Sequence, residues 1–172
     1  MFPDAPYIHI GCDEVHFKDW ENCPHCQKFM KKTGLVSAKE AYTYMVDRCT
    51  RMVLAKGRKP IVREGFPKEG TENFSREILV MPFQSIYQNA IELTDTGFEV
   101  VNTPWQPLYI VPSRPKYWEP DYLYRRKVNK WLYEEAEHDE DQPMIVEKKE
   151  MVLGAQLCLW EGRHYRQWRD RS

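Results

Sequence analysis

Apolar residues along the chain gather in short runs, each closed by a turn-forming residue, with amphipathic stretches between them. Residues 7–10 form the first run, and Gly11 closes it. Residues 60–62, 78–81, 98–101 and 151–159 repeat the pattern and read as further strands. Helical signals lie between. Pro24 suits a first helical turn and Gly34 a helix end, which predicts a helix over 24–32. Ser37 followed by Glu40 has the spacing of a capping box. The helix it opens carries Tyr42, Met45, Cys49, Met52 and Val53 at spacings of three and four, an inward stripe. Residues 86–93 and 122–137 read as two more helices, the second with Leu123, Val128, Trp131 and Leu132 inward. Residues 17–22 and 106–120 read as loops.

Strands alternate with helices, and the strands are apolar without strict alternation. That predicts an α/β fold whose parallel sheet is covered on both faces. Two architectures satisfy it: an open doubly wound sheet, or part of a (β/α)8 barrel. A whole barrel needs about 250 residues, and this chain has 172, which fits a single domain.

Charge narrows the classes of partner. The formal net charge is −1 and the sequence pI is about 6.5, so no electrostatic case for nucleic acid exists. No apolar run approaches the ~20 residues a membrane span needs, so no membrane partner is expected. The first strand follows Met1 almost at once, and no signal peptide is expected. No G-x-G-x-x-G follows a strand, and neither a P-loop nor a G-x-S-x-G is present. No cofactor is expected.

The chemistry collects after the strands. Asp13 and Glu14 follow the first, Arg63 and Glu64 the second, Asn102, Trp105 and Tyr109 the fourth, and Trp160 and Glu161 the last. In a parallel sheet all these ends share one rim. An Asp-Glu pair alone means little in a chain with 26 acidic residues; its place at a strand end raises it. Carboxylates, an amide, a phenol and indoles around one mouth suit a sugar, with hydrogen bonds for hydroxyls and flat faces for the ring. Zinc is a competing reading. Cys12, His16, Cys23, His25 and Cys26 lie within 15 residues, and C-x-x-C is a common half of a zinc site. A second pair downstream is missing, and free thiols are the plainer expectation.

The stretch His9-Ile10-Gly11-Cys12-Asp13-Glu14 resembles the His-x-Gly-Gly-Asp-Glu motif of family 20 glycoside hydrolases, the β-N-acetylhexosaminidases. Three more stretches, residues 61–66, 102–109 and 154–161, resemble later strands of that family in the family's order. The resemblance implies the (β/α)8 TIM-barrel family, here about strands four to eight, as one partial catalytic domain with the first half of the barrel as a partner. It implies hydrolysis of terminal N-acetyl-β-hexosamine from a glycan or glycoside, with the substrate's own acetamido oxygen as nucleophile. Glu14 would be general acid and base, Asp13 would orient the acetamido group, and Tyr109 would bind its oxygen. Trp105, Trp160, Glu161 and Glu64 would bind the sugar. Cys12 stands at the motif's second glycine, and Arg63 where many relatives place a pocket tryptophan. A sugar-binding half-barrel without turnover, or a zinc-stabilised fragment, is the alternative.

Overall fold

A computed structural model describes residues 3–110, 120–131 and 144–159. Five strands make its central sheet: β1 (Tyr7–His9), β2 (Lys59–Arg63), β3 (Leu79–Met81), β4 (Glu99–Asn102) and, later in the chain, β8 (Val152–Ala155). They lie in the order β1-β2-β3-β4-β8, and every neighbouring pair is parallel. The order never doubles back, unlike that of a doubly wound sheet, which reverses at a switch point. Register pairs His9 with Ile61, Arg63 with Met81 and Asn102 with Ala155, so the carboxyl ends share one rim.

Three helices separate β1 from β2: α1 (Phe17–Glu21), α2 (Pro24–Thr33) and α3 (Ala38–Leu54). The caps form where the sequence places them. The Ser37 side chain accepts the Glu40 N–H at 3.1 Å, while the Glu40 carboxylate takes the N–H of Val36, at 3.0 Å, rather than that of Ser37. Gly34 closes α2 at φ 73°, a conformation that glycine adopts without a Cβ clash. α4 (Ala90–Asp95) opens on a full capping box between Asn89 and Glu92.

The inward face of α3 differs from the predicted stripe. Tyr42 and Val53 are buried, but Met45 is 41% and Met52 63% exposed. The buried face is Ala38, Ala41, Tyr42, Thr43, Val46, Thr50 and Val53. Apart from Tyr42 these side chains are small, and where α3 lies on β2 size as well as hydrophobicity decides what fits. Val62, Val80, Val100 and Val152 join Tyr42, Val46, Leu93 and Phe98 in one core. The opposite face is more open at its edges, with Tyr7 39% and Leu153 48% exposed among the described residues, while Leu79 and Met81 of the central strand are buried there.

Several elements fall elsewhere than predicted. Residues 17–21 are helical, because Phe17 and Trp20 set their rings edge-on to Tyr42 at 5.7 and 6.2 Å. α4 begins at Ala90, and residues 86–89 are not helical. α5 (Trp105–Leu108) and β5 (Tyr109–Ile110) occupy the start of the predicted loop. α6 (Pro120–Arg125) is short, and β6 (Lys130–Trp131) follows it, paired antiparallel with β7 (Met144–Ile145). The fully buried Trp131 is held in that pairing, whereas Val128 is 47% exposed. Leu132 lies outside the described residues. The last predicted strand divides into β8 and β9 (Cys158–Leu159), and β9 pairs parallel with β5. Among the described residues no helix is long and apolar enough to cross a membrane.

Candidate active site

The backbone past β1 is unusual. Gly11, Cys12 and Glu14 all hold positive φ, at 81°, 84° and 45°. Side chains rarely adopt this region, and each such residue costs of order 1–3 kcal/mol when it is not glycine. Position 12 therefore favours glycine, which is the physical sense of the motif's second glycine. The cost at Cys12 is offset in part by packing against the core. The turn is held from both sides. The Arg63 N–H donates to the Gly11 carbonyl at 2.7 Å, and the Val15 N–H to the Tyr87 hydroxyl at 3.4 Å. Asp13 and Glu14 are carried outward into solvent, and among the described residues neither side chain has a hydrogen bond or ion pair.

His9 stands behind the pair. Burial lowers its pKa, and the charge of Arg63 lowers it further, against Asp13. Its Nδ1 accepts the Gly11 N–H at 3.1 Å, so the neutral ring carries its proton on Nε2. It braces the turn. Behind Cys12 lies Tyr42. Burial pushes the Cys12 thiol up to about 11 and raises the Tyr42 phenol as well, so both stay neutral.

Glu64 follows β2 at φ 57°, but turns inward and is 1% exposed. One carboxylate oxygen accepts the N–H groups of Phe83 and Gln84 at 3.0 and 2.8 Å, and the other accepts that of Ile86. These are the turn residues past β3. Burial raises the Glu64 carboxyl, the three N–H groups draw it back, and the charge of Glu14 adds to the rise. The net shift is upward.

Arg63, the preceding residue, points to the opposite face. Its Nη2 donates to the Tyr109 hydroxyl and to Cys158 Sγ, the latter at 3.2 Å. Its guanidinium lies 5.2 Å from the Phe83 ring centre and 5.1 Å from that of Tyr109. Phe83 and Tyr109 stack at 5.8 Å, and Trp105 tilts against Tyr109 at 4.7 Å. The Trp105 backbone N–H donates to the Phe83 carbonyl at 3.0 Å. Burial pushes the Tyr109 phenol up to about 12, against the pull of Arg63, so it remains a neutral donor and acceptor. Asn102 serves the scaffold: it is fully buried and donates to the carbonyls of Val128 and Lys130 at 2.6 and 2.9 Å.

Tyr109, Trp105, Arg63 and Cys158 thus form one cluster on the rim, with Asp13 and Glu14 past the adjacent strand end. Trp160 and Glu161 lie outside the described residues. Phe83 is a member that the sequence reading missed; an aromatic just past the proline that ends the third apolar run was its signal. The five cysteines are free, and among the described residues no three His, Cys, Asp or Glu side chains come together to hold a metal. The zinc reading has no third ligand there.

The rim thus carries an Asp-Glu pair with no hydrogen bond or ion pair among the described residues, together with a phenol and an indole. The chain matches the catalytic domain of glycosyl hydrolase family 20 over residues 1–169. It belongs to that family. It is 27% identical to the β-hexosaminidase alpha subunit of Rattus norvegicus, over 93% of this chain and 28% of the relative. It is 28% identical to the β-hexosaminidase of Vibrio furnissii, over 93% of this chain and 26% of the relative. Among solved structures, the family 20 exo-β-N-acetylglucosaminidase of Vibrio harveyi in complex with N-acetylglucosamine superposes with a TM-score of 0.63 at 22% identity, over 91% of this chain and 24% of that one. Dispersin B superposes with a TM-score of 0.62 at 18% identity, over 90% and 45%. These likenesses support an α/β fold with a parallel sheet. The family 20 chain spans about a quarter of the length of those two curated relatives.

Proposed function

We propose that the chain is one partial catalytic domain and supplies the acid-bearing half of a site that hydrolyses terminal β-linked N-acetylhexosamine. The observation that carries this is the Asp13-Glu14 pair, exposed and uncommitted, on the same rim as Tyr109 and Trp105 in a family 20 chain. Its parallel, singly wound strand order suits the fourth-to-eighth-strand arc of a barrel, with the sheet face opposite the core turned toward the axis. A complementary first half is the partner the arc would need.

In this reading the substrate's acetamido oxygen attacks the anomeric carbon while Glu14 gives its proton to the departing glycosidic oxygen. Asp13 accepts the acetamido N–H and balances the positive ring that forms. Tyr109 donates to the acetamido oxygen. Water then attacks the anomeric carbon as Glu14 takes its proton, which reopens the ring with configuration retained. Trp105 and Trp160 wall the sugar, and Glu161 binds hydroxyls. Glu64, with both oxygens held by backbone N–H groups, supports the turn that carries Phe83 rather than the sugar.

The test is turnover of 4-nitrophenyl N-acetyl-β-D-glucosaminide by the chain and by Glu14→Gln. Turnover abolished in the variant supports the assignment, and turnover unchanged sinks it. One observation favours a second reading, a sugar-binding arc without turnover: the cationic Arg63 is hydrogen-bonded to Tyr109, next to where the positive intermediate would form, and like charge there raises its energy. Saturable binding of N-acetylglucosamine with no turnover would select that reading.

A further inference from the structure

We propose that Cys23 and Cys26 form a redox-active dithiol that closes reversibly into an intrachain disulfide in exchange with small-molecule disulfides, with Cys23 as the attacking thiol. The inference is independent of any sugar chemistry.

Cys23 is the N-cap of α2, in extended conformation at φ −87° and ψ 116°, and Cys26 is the third helical residue. Side chains three apart on the first turn face each other, with Cβ atoms about 5–6 Å apart, and a small closure brings them to disulfide range. The same N-cap-to-third-residue spacing brings groups into contact elsewhere in this molecule, at Ser37 with Glu40 and Asn89 with Glu92. Both thiols are partly exposed. With no third metal-ligating side chain beside them among the described residues, exchange chemistry is open to them.

The helix start also divides the labour between the two sulfurs. Pro24, the first helical residue, has no N–H, and the Cys23 side chain makes no capping hydrogen bond, so the later N–H groups of the turn act on its sulfur through their field. The backbone N–H of Cys26, then its thiol, draws the Cys23 thiol below its ordinary range, with the His25 N–H helping. The neighbouring Cys23 sulfur pushes the Cys26 thiol up. A thiolate at a helix N-terminus followed by a resolving thiol is the arrangement that favours exchange. Cys12 is the contrast: buried behind the acid turn and pushed up to about 11, it is poorly ionised at neutral pH.

The Cys23 thiolate attacks one sulfur of the small disulfide, that S–S bond breaks, and one small thiolate leaves. Cys26 gives its proton to solvent and attacks the Cys23 sulfur, which releases the second small thiolate. Two protein thiols are oxidised, and one small disulfide is reduced to two thiols. The bond sits one hydrogen bond from α1, since the Cys23 N–H donates to the Trp20 carbonyl at 3.3 Å and the Gln27 side chain to that of Glu21 at 2.8 Å.

The test uses the reduced 172-residue chain, equilibrated with glutathione disulfide at pH 7.5, acid-quenched, alkylated and mapped by mass spectrometry. Expected is a chain lighter by two hydrogens with Cys23 linked to Cys26, reopened by excess glutathione. Cys26→Ser is expected to hold one glutathione on residue 23, and Cys23→Ser to react at least about tenfold more slowly. Cys49→Ser is the control. Equal glutathione on all cysteines, or no Cys23–Cys26 link at saturating oxidant, overturns the proposal. So does one tightly held zinc per chain that shields both thiols from alkylation, which returns the zinc reading.

Discussion

Glu14 and Glu64 follow neighbouring strands of one sheet, and both hold positive φ, 45° and 57°. Residue type, strand-end position and backbone region are shared. Glu14 is exposed and has no hydrogen-bond partner among the described residues, whereas Glu64 is 1% exposed and accepts three backbone N–H groups. The difference separates two uses of a carboxylate. One whose lone pairs are filled by the protein organises a turn, because those N–H groups would otherwise be buried without partners. One whose lone pairs are empty can exchange a proton with a ligand. Strand-end position shows where chemistry can occur, and hydrogen-bond commitment shows which of the acids there can perform it.

Glu14→Gln puts the most weight on that contrast. If Glu14 transfers the proton, turnover of an aryl N-acetylglucosaminide falls by about 10²–10⁴-fold, or about 3–5 kcal/mol of barrier. Stability should stay within about 0.5 kcal/mol, as for other exposed substitutions. Glu64→Gln should reverse the pattern. An amide presents one oxygen and one NH₂ where the turn needs two acceptors, so at least one N–H among Phe83, Gln84 and Ile86 loses its partner. Unfolding by urea should show a loss of about 1–3 kcal/mol. A Glu64→Gln protein as stable as wild type, with turnover lost instead, would make Glu64 a sugar ligand and collapse the distinction.

The sequence carries one half of this contrast and hides the other. The acid turn is legible because Gly11 ends an apolar run and the family motif includes its neighbours. The role of Glu64 is not, since Arg63 and Glu64 are consecutive and only the sheet decides which of them points inward. Its partners lie 19 to 22 residues on, in a turn that no local pattern announces. The helix α3 divides in the same way. Its cap at Ser37 and Glu40 depends on residues three apart and is visible. Its buried face is hidden, because the small Ala41 and the polar Thr43 and Thr50 give a weaker apolar signal than the larger Met45 and Met52, which are exposed. Residues 122–137 fail for a longer-range reason: the fully buried Trp131 sits on a strand fixed by pairing with Met144, and a helical spacing cannot report a partner that distant.

Arg63→Met sharpens the comparison from the other side of the β2 backbone. The change removes the donors to Tyr109 and Cys158 and the cation above two rings, but leaves Glu64 facing inward. A stability loss of about 1 kcal/mol is expected from the lost polar and cation–π contacts. Affinity for N-acetylglucosamine, measured by titration calorimetry, should fall about 3- to 10-fold as Tyr109 loses its anchor, on the scale of tenfold per 1.4 kcal/mol. A change in stability as large as that of Glu64→Gln would show that the two side chains support one unit rather than two.

The smallest effect tests whether the charge on Glu64 is favoured by its environment or merely tolerated. Its folded carboxyl lies above the ordinary 4.5, with burial the first cause and the charge of Glu14 adding to it. Between the ordinary value and the raised one, the folded state therefore binds more proton at this position than the unfolded state does. Stability contributed by this group is fully present below the ordinary value and is lost as pH rises through the folded value. Glu64→Gln cannot titrate there, while every other carboxyl is shared by the two proteins. The stability gap between wild type and variant should thus narrow as pH is raised from about 4 toward neutrality, followed by urea midpoints at stepped pH. A gap that widens over the same range would mean that the three N–H groups outweigh burial and the charge of Glu14, so that the site prefers the carboxylate ionised.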